Sequence, residues 1–410
     1  MTSPAVTGGP PAFAEGLPFF RPALPPFEAV TERLAPGYER GMLTNGALVR
    51  ELEEAAADFL DVPEVVAVAS CTAGLMLTMQ ALTKVGTHVA MPSFTFSATA
   101  HAAAWAGAVP RFAECDAATC QLDLADVAER MDGASLLVAT HIFGSPCQPE
   151  AVEDLGRRYD VPVIFDAAHA FGSTRRGRKV GGFGAAEIFS LSPTKPLTGG
   201  EGGLVATRDE GLAAHLRLGR DYGNPGDYDT RFVGLNARMS ELHAAVALAS
   251  LAQLDGHLAR RRELAGRYRD ALAEVDGVAV QAVDPEDTST YKDLTVIVDE
   301  TVFGLTRDDL VTALKAEGVD TRCYFWPPVH LQQAYAPVAT DTLPVTDQVA
   351  GRVVSLPLWR DMPDDAVDKV VAAVASVGDN ADAVAAVLAG AGGSSPAAGG
   401  SVVRSEEDGR

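Results

Sequence analysis

The chain has 410 residues, 47% of them hydrophobic and 21% charged, an ordinary globular balance with room for two domains. Its formal net charge of −22 opposes a nucleic-acid backbone or an anionic membrane surface over most approach directions, but leaves room for a pocket that holds a small anion. No run approaches the ~20 apolar residues that span a bilayer, the start lacks the basic and apolar regions of a secretory signal, and the five cysteines include no C-x-x-C pair; a cytoplasmic protein with reduced thiols and no metal site is expected.

Residues 1–26, rich in Pro, Gly and Ala, read as a loose N-terminal arm. "TNGALVRELEEAAADFL" opens with a capping residue and carries Leu48, Leu52, Ala55 and Phe59 at helical spacing. Five strand-like runs follow: "EVVAVAS", "THVAMPS", "AVPRFAE", "ASLLVAT" and "VPVIFDA". Helical patterns such as "TAGLMLTMQALTK" and "PEAVEDLGRRY" lie between most of them, and "AEIFSL" adds a further strand. Alternation of this kind predicts an α/β fold, a mostly parallel sheet covered by helices on both faces. "RMSELHAAVALASLAQLDGHLARRRELAGRYRDALAEV" reads as helices leaving that domain. "YKDLTVIVD", "TRDDLVTALKAEGV" and "DDAVDKVVAAVASV" then suggest a smaller α/β unit. The expected division is 1–26 arm, 27–255 large domain, 256–377 small domain and 378–410 flexible tail.

Ligands of such sheets gather at the carboxyl ends of the strands. The polar residues placed there are Ser70-Cys71-Thr72, Ser93 to Phe96, His141, Asp166 and Ser190 to Lys195. The loop "SLSPTKPLTGGEGG" puts its glycines after Lys195, whereas a nucleotide P-loop puts them before the lysine, so a different chemistry is needed. Asp166 by itself could be a helix cap. Paired with Lys195, 29 residues later and also at a strand end, it suits pyridoxal 5′-phosphate (PLP): the lysine condenses with the aldehyde and the carboxylate keeps the pyridine nitrogen protonated. "ASCTAGLML" offers a strand end opening a helix, a place for a phosphate, with Thr72 as its N-cap and Ser190 adding a hydroxyl. Phe96 is placed to stack on a ring and His169 to reach its 3-oxygen or to orient Asp166, though an aromatic beside a strand end is more often core. Lys84, Lys179, Lys315 and Lys369 read as solvated. Lys292 is the only rival to Lys195, but it lies in the second unit and has no glycine-rich loop.

"LTNGALVRELEEAAADFL", "PSFTFSATAHA", "IFDAAHAFGS", "SLSPTKPLTGGEGGLV", "GLNARMSELHAAVAL" and "WPPVHLQQAY" together resemble the DegT–StrS sugar aminotransferases, from about residue 27 to about 377. The resemblance implies fold type I, with a seven-stranded sheet in the large domain, PLP as cofactor and a cytoplasmic homodimer with shared active sites. It implies Lys195 as the Schiff-base lysine, Asp166 as partner of the ring nitrogen, Phe96 as the stacking residue, and Thr72, Ala73 and Ser190 as phosphate contacts. Asn236, in "GLNARM", matches the asparagine that reaches the phosphate across a dimer interface. The implied reaction moves an amino group from L-glutamate to a nucleotide-linked keto sugar, with Lys195 as base and then acid and with ping-pong kinetics. Similarity to the 4-aminotransferase branch points to dTDP-4-keto-6-deoxyhexose, in antibiotic or surface-sugar biosynthesis. A 3-keto-sugar or cyclitol aminotransferase, or a dehydratase, are the alternatives; dehydratase relatives carry histidine at the lysine position, and this chain keeps Lys195. Tyr324, Trp326 and His330 are candidates for the substrate pocket, with Tyr222 a weaker one, against the possibility that they only pack. The chain departs from the family at Cys71, where glycine is usual, and at His169, where glutamine is common.

Overall fold

The computed structural model describes residues 3–338 and 342–390. The larger unit is built on seven strands: β1 (Glu64–Val68), β2 (His88–Pro92), β3 (Val109–Ala113), β4 (Ala134–Thr140), β5 (Val163–Asp166), β8 (Ala186–Ser190) and β9 (Gly203–Thr207). A hairpin of β6 (Thr174–Arg175) and β7 (Arg178–Lys179) projects between β5 and β8. The sheet order is β1-β9-β8-β5-β4-β2-β3. Only β9 runs against its neighbours; the other pairings are parallel, so six strands end on one edge.

The strands are apolar without interruption because both faces are covered. Along β1, Val66 and Val68 pack with Leu75 and Leu77 of the helix Cys71–Leu82, while Val65 and Ala67 pack on the other side with Leu52 and Ala56 of the helix Ala47–Leu60. Along β9, Val205 joins the first layer and Leu204 and Ala206 the second. This two-residue alternation of faces sets each strand's register against its helices, since a one-residue slip would exchange the two layers.

The helix Ala47–Leu60 has no capping side chain of its own; its N-cap is Gly46, not the polar residue expected just before it. Glu241, buried in the first turn of the helix Glu241–Leu251, supplies the cap from across the fold. Its carboxylate accepts the N–H groups of Gly46 (2.9 Å), Leu48 (3.0 Å) and Val49 (3.0 Å). Three donors and the positive helix end offset the desolvation of that carboxylate.

The smaller unit carries an antiparallel sheet of β10 (Val278–Val280), β11 (Leu294–Val298) and β12 (Val353–Leu356). The helix Leu254–Leu272 joins the units: Leu254 and Leu258 lie in a core layer of the large sheet, and Leu264, Ala265, Tyr268 and Leu272 in the core of the small one.

Two expectations need correction. The N-terminal arm is docked, not loose: Glu317 accepts the N–H groups of Ala5 (2.6 Å) and Ala12 (2.9 Å), Leu17 pairs with Val319, and the Trp359 indole donates to the Pro18 carbonyl (3.1 Å). The flexible tail expected from 378 is a helix over Ala381–Gly390, held by the fully buried Val384; residues 391–410 of that tail lie outside the described residues. Among the described residues no single helix is long and apolar enough to cross a membrane, and the adjoining helices Ala366–Asp379 and Ala381–Gly390 are bent by 80°.

Candidate active site

A cavity of about 330 Å³ opens at the carboxyl edge of the large sheet and is closed on its far side by the small unit. Its floor comes from the residues that follow β1, β4, β5 and β8, and its opposite wall from Lys292, Asp293, Tyr324 and Phe325. Strand ends 4.7–4.9 Å apart bring together side chains more than 100 residues apart in sequence.

Asp166 is the last residue of β5 and is buried. The Thr99 hydroxyl donates to its Oδ2 (2.7 Å) and the Ala168 N–H to its Oδ1 (3.1 Å). Behind Thr99, the Thr95 hydroxyl lies 2.9 Å away and is itself 3.3 Å from that of Thr140, a buried row of hydroxyls backing the carboxylate. Burial pushes the Asp166 carboxyl above its ordinary range, against the pull of Thr99, Ala168 and Lys195. A carboxylate held this way takes a cationic N–H partner readily, because the partner relieves the desolvation.

Lys195 stands in the loop after β8 and faces the same cavity. Burial, reinforced by the Lys292 ammonium, lowers its ammonium from 10.5 to about 8. At neutral pH roughly a tenth of such a lysine is free amine, about three hundredfold more than for an ordinary lysine. His169 is driven the same way: burial, then the Lys195 and Lys292 cations, hold its imidazole well below the usual range, so the ring is neutral, and its buried Nδ1 has no hydrogen-bond partner.

The opening of the helix Cys71–Leu82 supplies the anion cradle. Ser70, not Thr72, is the N-cap, with its Oγ accepting the Ala73 N–H at 3.1 Å. Thr72 and Ser190 both line the cavity. Ala73 does not, and its N–H donates to the Ser70 hydroxyl. The turn is possible because residue 203 is glycine. Gly203, paired with Val68 on one side and Ser190 on the other, would place a Cβ 2.5 Å from the Cys71 nitrogen and 2.6 Å from the Ser70 carbonyl carbon. Cys71 packs beneath the cradle with its thiol directed at the Ile188 carbonyl (3.7 Å); burial raises its pKa, so it stays a neutral thiol.

Of the remaining expected residues, Phe96 and Tyr324 line the cavity, and Phe96 lies 6.3 Å from Phe325, ring centre to ring centre. Four others do not line it. Trp326 is exposed, with the Arg307 guanidinium 5.8 Å from its ring centre. His330 is buried and ties the units together, its Nδ1 2.6 Å from the Ser93 hydroxyl and its Nε2 3.2 Å from Asp347. Tyr222 is exposed beside Arg238, and Asn236 is exposed with its side-chain oxygen accepting from Arg238 (3.3 Å). His141, at the end of β4, is fully buried against Glu187 (2.9 Å) behind the site. Lys292 reverses its expectation: it lies in the small unit but reaches the same cavity as Lys195. Thr99 and Asp293 are residues that reading in one dimension misses, and Lys292 is one it sets aside, because their meaning depends on which strand end they face.

A model of the DegT/DnrJ/EryC1/StrS aminotransferase family matches residues 28–375. The chain belongs to that family. These are PLP-dependent sugar aminotransferases of fold type I. DesI, solved in the presence of its TDP-sugar product, is 36% identical and superposes with a TM-score of 0.88 over 93% of this chain and 98% of its own. The spore coat polysaccharide biosynthesis protein SpsC of Bacillus subtilis (strain 168) is 33% identical over 87% of this chain and 95% of its own length. GDP-perosamine synthase of Caulobacter vibrioides is 33% identical over 81% of this chain and 90% of its own. The donor set fits the family's cofactor: a weakly basic amine, a buried carboxylate for a ring N–H, an orphaned imidazole nitrogen, and hydroxyls at a helix opening for a phosphate. PLP supplies an aldehyde for the amine to join and a protonated ring that draws electrons from the reacting carbon.

Proposed function

We propose that this enzyme takes the amino group of L-glutamate and delivers it to C4 of a dTDP-linked 4-keto-6-deoxyhexose, giving a dTDP-4-amino-4,6-dideoxyhexose for an antibiotic or surface sugar. The observation that carries the reading is Lys195, its ammonium lowered to about 8 by burial, sharing one cavity with the buried, hydrogen-bonded Asp166. DesI, with its TDP-sugar product, supports the choice of nucleotide.

In this reading Lys195 would hold the cofactor through its aldehyde, and its free amine would take the α-proton of glutamate and return a proton in the second half-reaction. A pKa near 8 suits both directions, since it lies within about one unit of neutral pH and both protonation states are populated. Asp166 holds the proton on the ring nitrogen, and Thr99 holds Asp166. Neutral His169 offers its free Nδ1 to the ring's 3-oxygen or helps to fix Asp166. Phe96 covers one ring face; Thr72 and Ser190 hold the phosphate; Tyr324 borders the sugar. Asn236 completes the phosphate site from a second copy in a cytoplasmic homodimer.

The test is to incubate PLP-loaded enzyme and glutamate with dTDP-, UDP- and GDP-linked 3-keto and 4-keto sugars, and to read products by NMR. The expected result is a 4-amino dTDP-sugar formed in step with 2-oxoglutarate. Amination of a 3-keto sugar alone, preference for GDP, or loss of water without glutamate consumption overturns it.

A further inference from the structure

The Lys292–Asp293 pair is assigned no role by the reading above, although it lines the same cavity as Lys195. Lys292 is 7% exposed and Asp293 3%, and Lys292 Nζ donates to Asp293 Oδ1 at 2.8 Å. The other carboxylate oxygen, Oδ2, is buried with no hydrogen-bond partner. An ammonium carries three donors, and one is committed to Asp293. A buried ion pair left half satisfied is costly, and a fold that needed only packing here would be better served by apolar side chains.

The fold also goes to some length to hold the pair in place. Arg261, buried on the helix that joins the two units, donates to the carbonyls of Thr290 (3.3 Å), Tyr291 (2.6 Å) and Lys292 (2.7 Å), and to Leu358 (3.1 Å). That grip anchors the segment leading into β11 and sets where Lys292 enters the cavity. The Tyr324 ring, 5.4 Å from the ammonium, faces it from the side.

A spare cationic donor and a spare anionic acceptor, side by side in a cavity visited by two different substrates, call for two different ligand groups. The amino-acid donor brings carboxylates. The keto sugar brings hydroxyls, and its charge sits on the distant pyrophosphate. We propose that Lys292 binds a carboxylate of the amino-acid donor and that Asp293 Oδ2 accepts a sugar hydroxyl in the other half-reaction, so that one subsite serves both substrates in turn. This rests on the aminotransferase reading. Lys292 lines the same cavity as Lys195 and His169, and after burial its charge is the next cause that lowers Lys195.

Glutarate, a dicarboxylate without an amine, probes the donor half directly by calorimetric titration of the PLP-loaded enzyme. Lys292→Met is expected to weaken glutarate at least tenfold and Lys292→Arg to restore most of it. Asp293→Asn is expected to keep or tighten glutarate while raising the KM for the keto sugar about fivefold or more. Should Lys292→Met fail to fold by circular dichroism, the double variant Lys292→Met/Asp293→Asn removes both charges and must still lose glutarate. Unchanged glutarate binding in either, or an unchanged sugar KM in Asp293→Asn, overturns the subsite. Borohydride fixation of PLP to the Lys195 peptide in the same preparations tests the aminotransferase reading separately: fixation with unchanged glutarate binding sinks the subsite alone, and absent fixation sinks the reading.

Discussion

A lysine is useful to an aldehyde only as free amine, and the decisive property of Lys195 is that burial and Lys292 make the amine available near pH 8. The direction follows from desolvation, which penalises the ammonium and leaves the amine untouched. The rate at which PLP-free protein takes up PLP should therefore rise with pH and level off above about 8, followed by the growth of the cofactor's visible absorbance. A rate that keeps climbing through 10 would show an ordinary lysine. Asp166 acts by charge: Asp166→Asn keeps the shape, and should cut turnover roughly 10²–10³-fold with PLP still bound. Thr99→Val removes one donor to that carboxylate, and the loss should be closer to about tenfold. Equal losses in the two variants would mean that the hydroxyl, not the charge, carries the effect. Sequence could place both Lys195 and Asp166 at this edge because Asp166 ends a strand-like run and Lys195 follows one. Thr99 was not, since it sits 67 residues before its partner in a helix whose pattern marks it as filler.

The same contrast holds for whole elements. Strands of the large sheet could be read directly, because burial on both faces leaves continuous apolar runs with polar residues only at their ends. The arm and the final helix could not: Pro-, Gly- and Ala-rich composition records how little a segment insists on, and gives no sign of Glu317 waiting to take two of its N–H groups. Nor does a sequence show that the helix Ala47–Leu60 is capped by Glu241, nearly 200 residues on. Glycines after Lys195 were noticed, but the demand at one of them is sharper than general freedom. Gly203 must let the Ser70–Cys71 turn lie on β9, and the atoms a Cβ would meet are backbone, which cannot rotate away. Gly203→Ala should therefore displace the helix opening and weaken PLP binding by at least tenfold in a titration, whereas Gly177→Ala, where a Cβ meets nothing within 4 Å, should leave PLP affinity within twofold despite its positive φ. Comparable losses at both sites would remove the cradle from the account.

At the scale of the whole molecule, the site is assembled by two units that grip it from opposite sides, and the proposed homodimer adds a third contribution. Asn236 is exposed and does not line its own chain's cavity, so its proposed role requires a second copy to carry it there. Shared sites have an arithmetic consequence. A subunit with Lys195→Ala and a subunit with Asn236→Ala are each defective alone, the first in chemistry and the second in holding the phosphate. In a mixed dimer, one site combines the intact lysine of one subunit with the intact asparagine of the other, and the second site carries both defects. Random co-assembly makes half of the dimers mixed, and half of the sites in each are whole, so co-expressed variants should recover about a quarter of wild-type activity per subunit. Light scattering on the same samples reports whether dimers form. If dimers form and the mixture is no more active than its parents, or if Asn236→Ala alone retains full PLP affinity, each cavity is complete within one chain and the phosphate is held by Thr72, Ser190 and the helix opening without help.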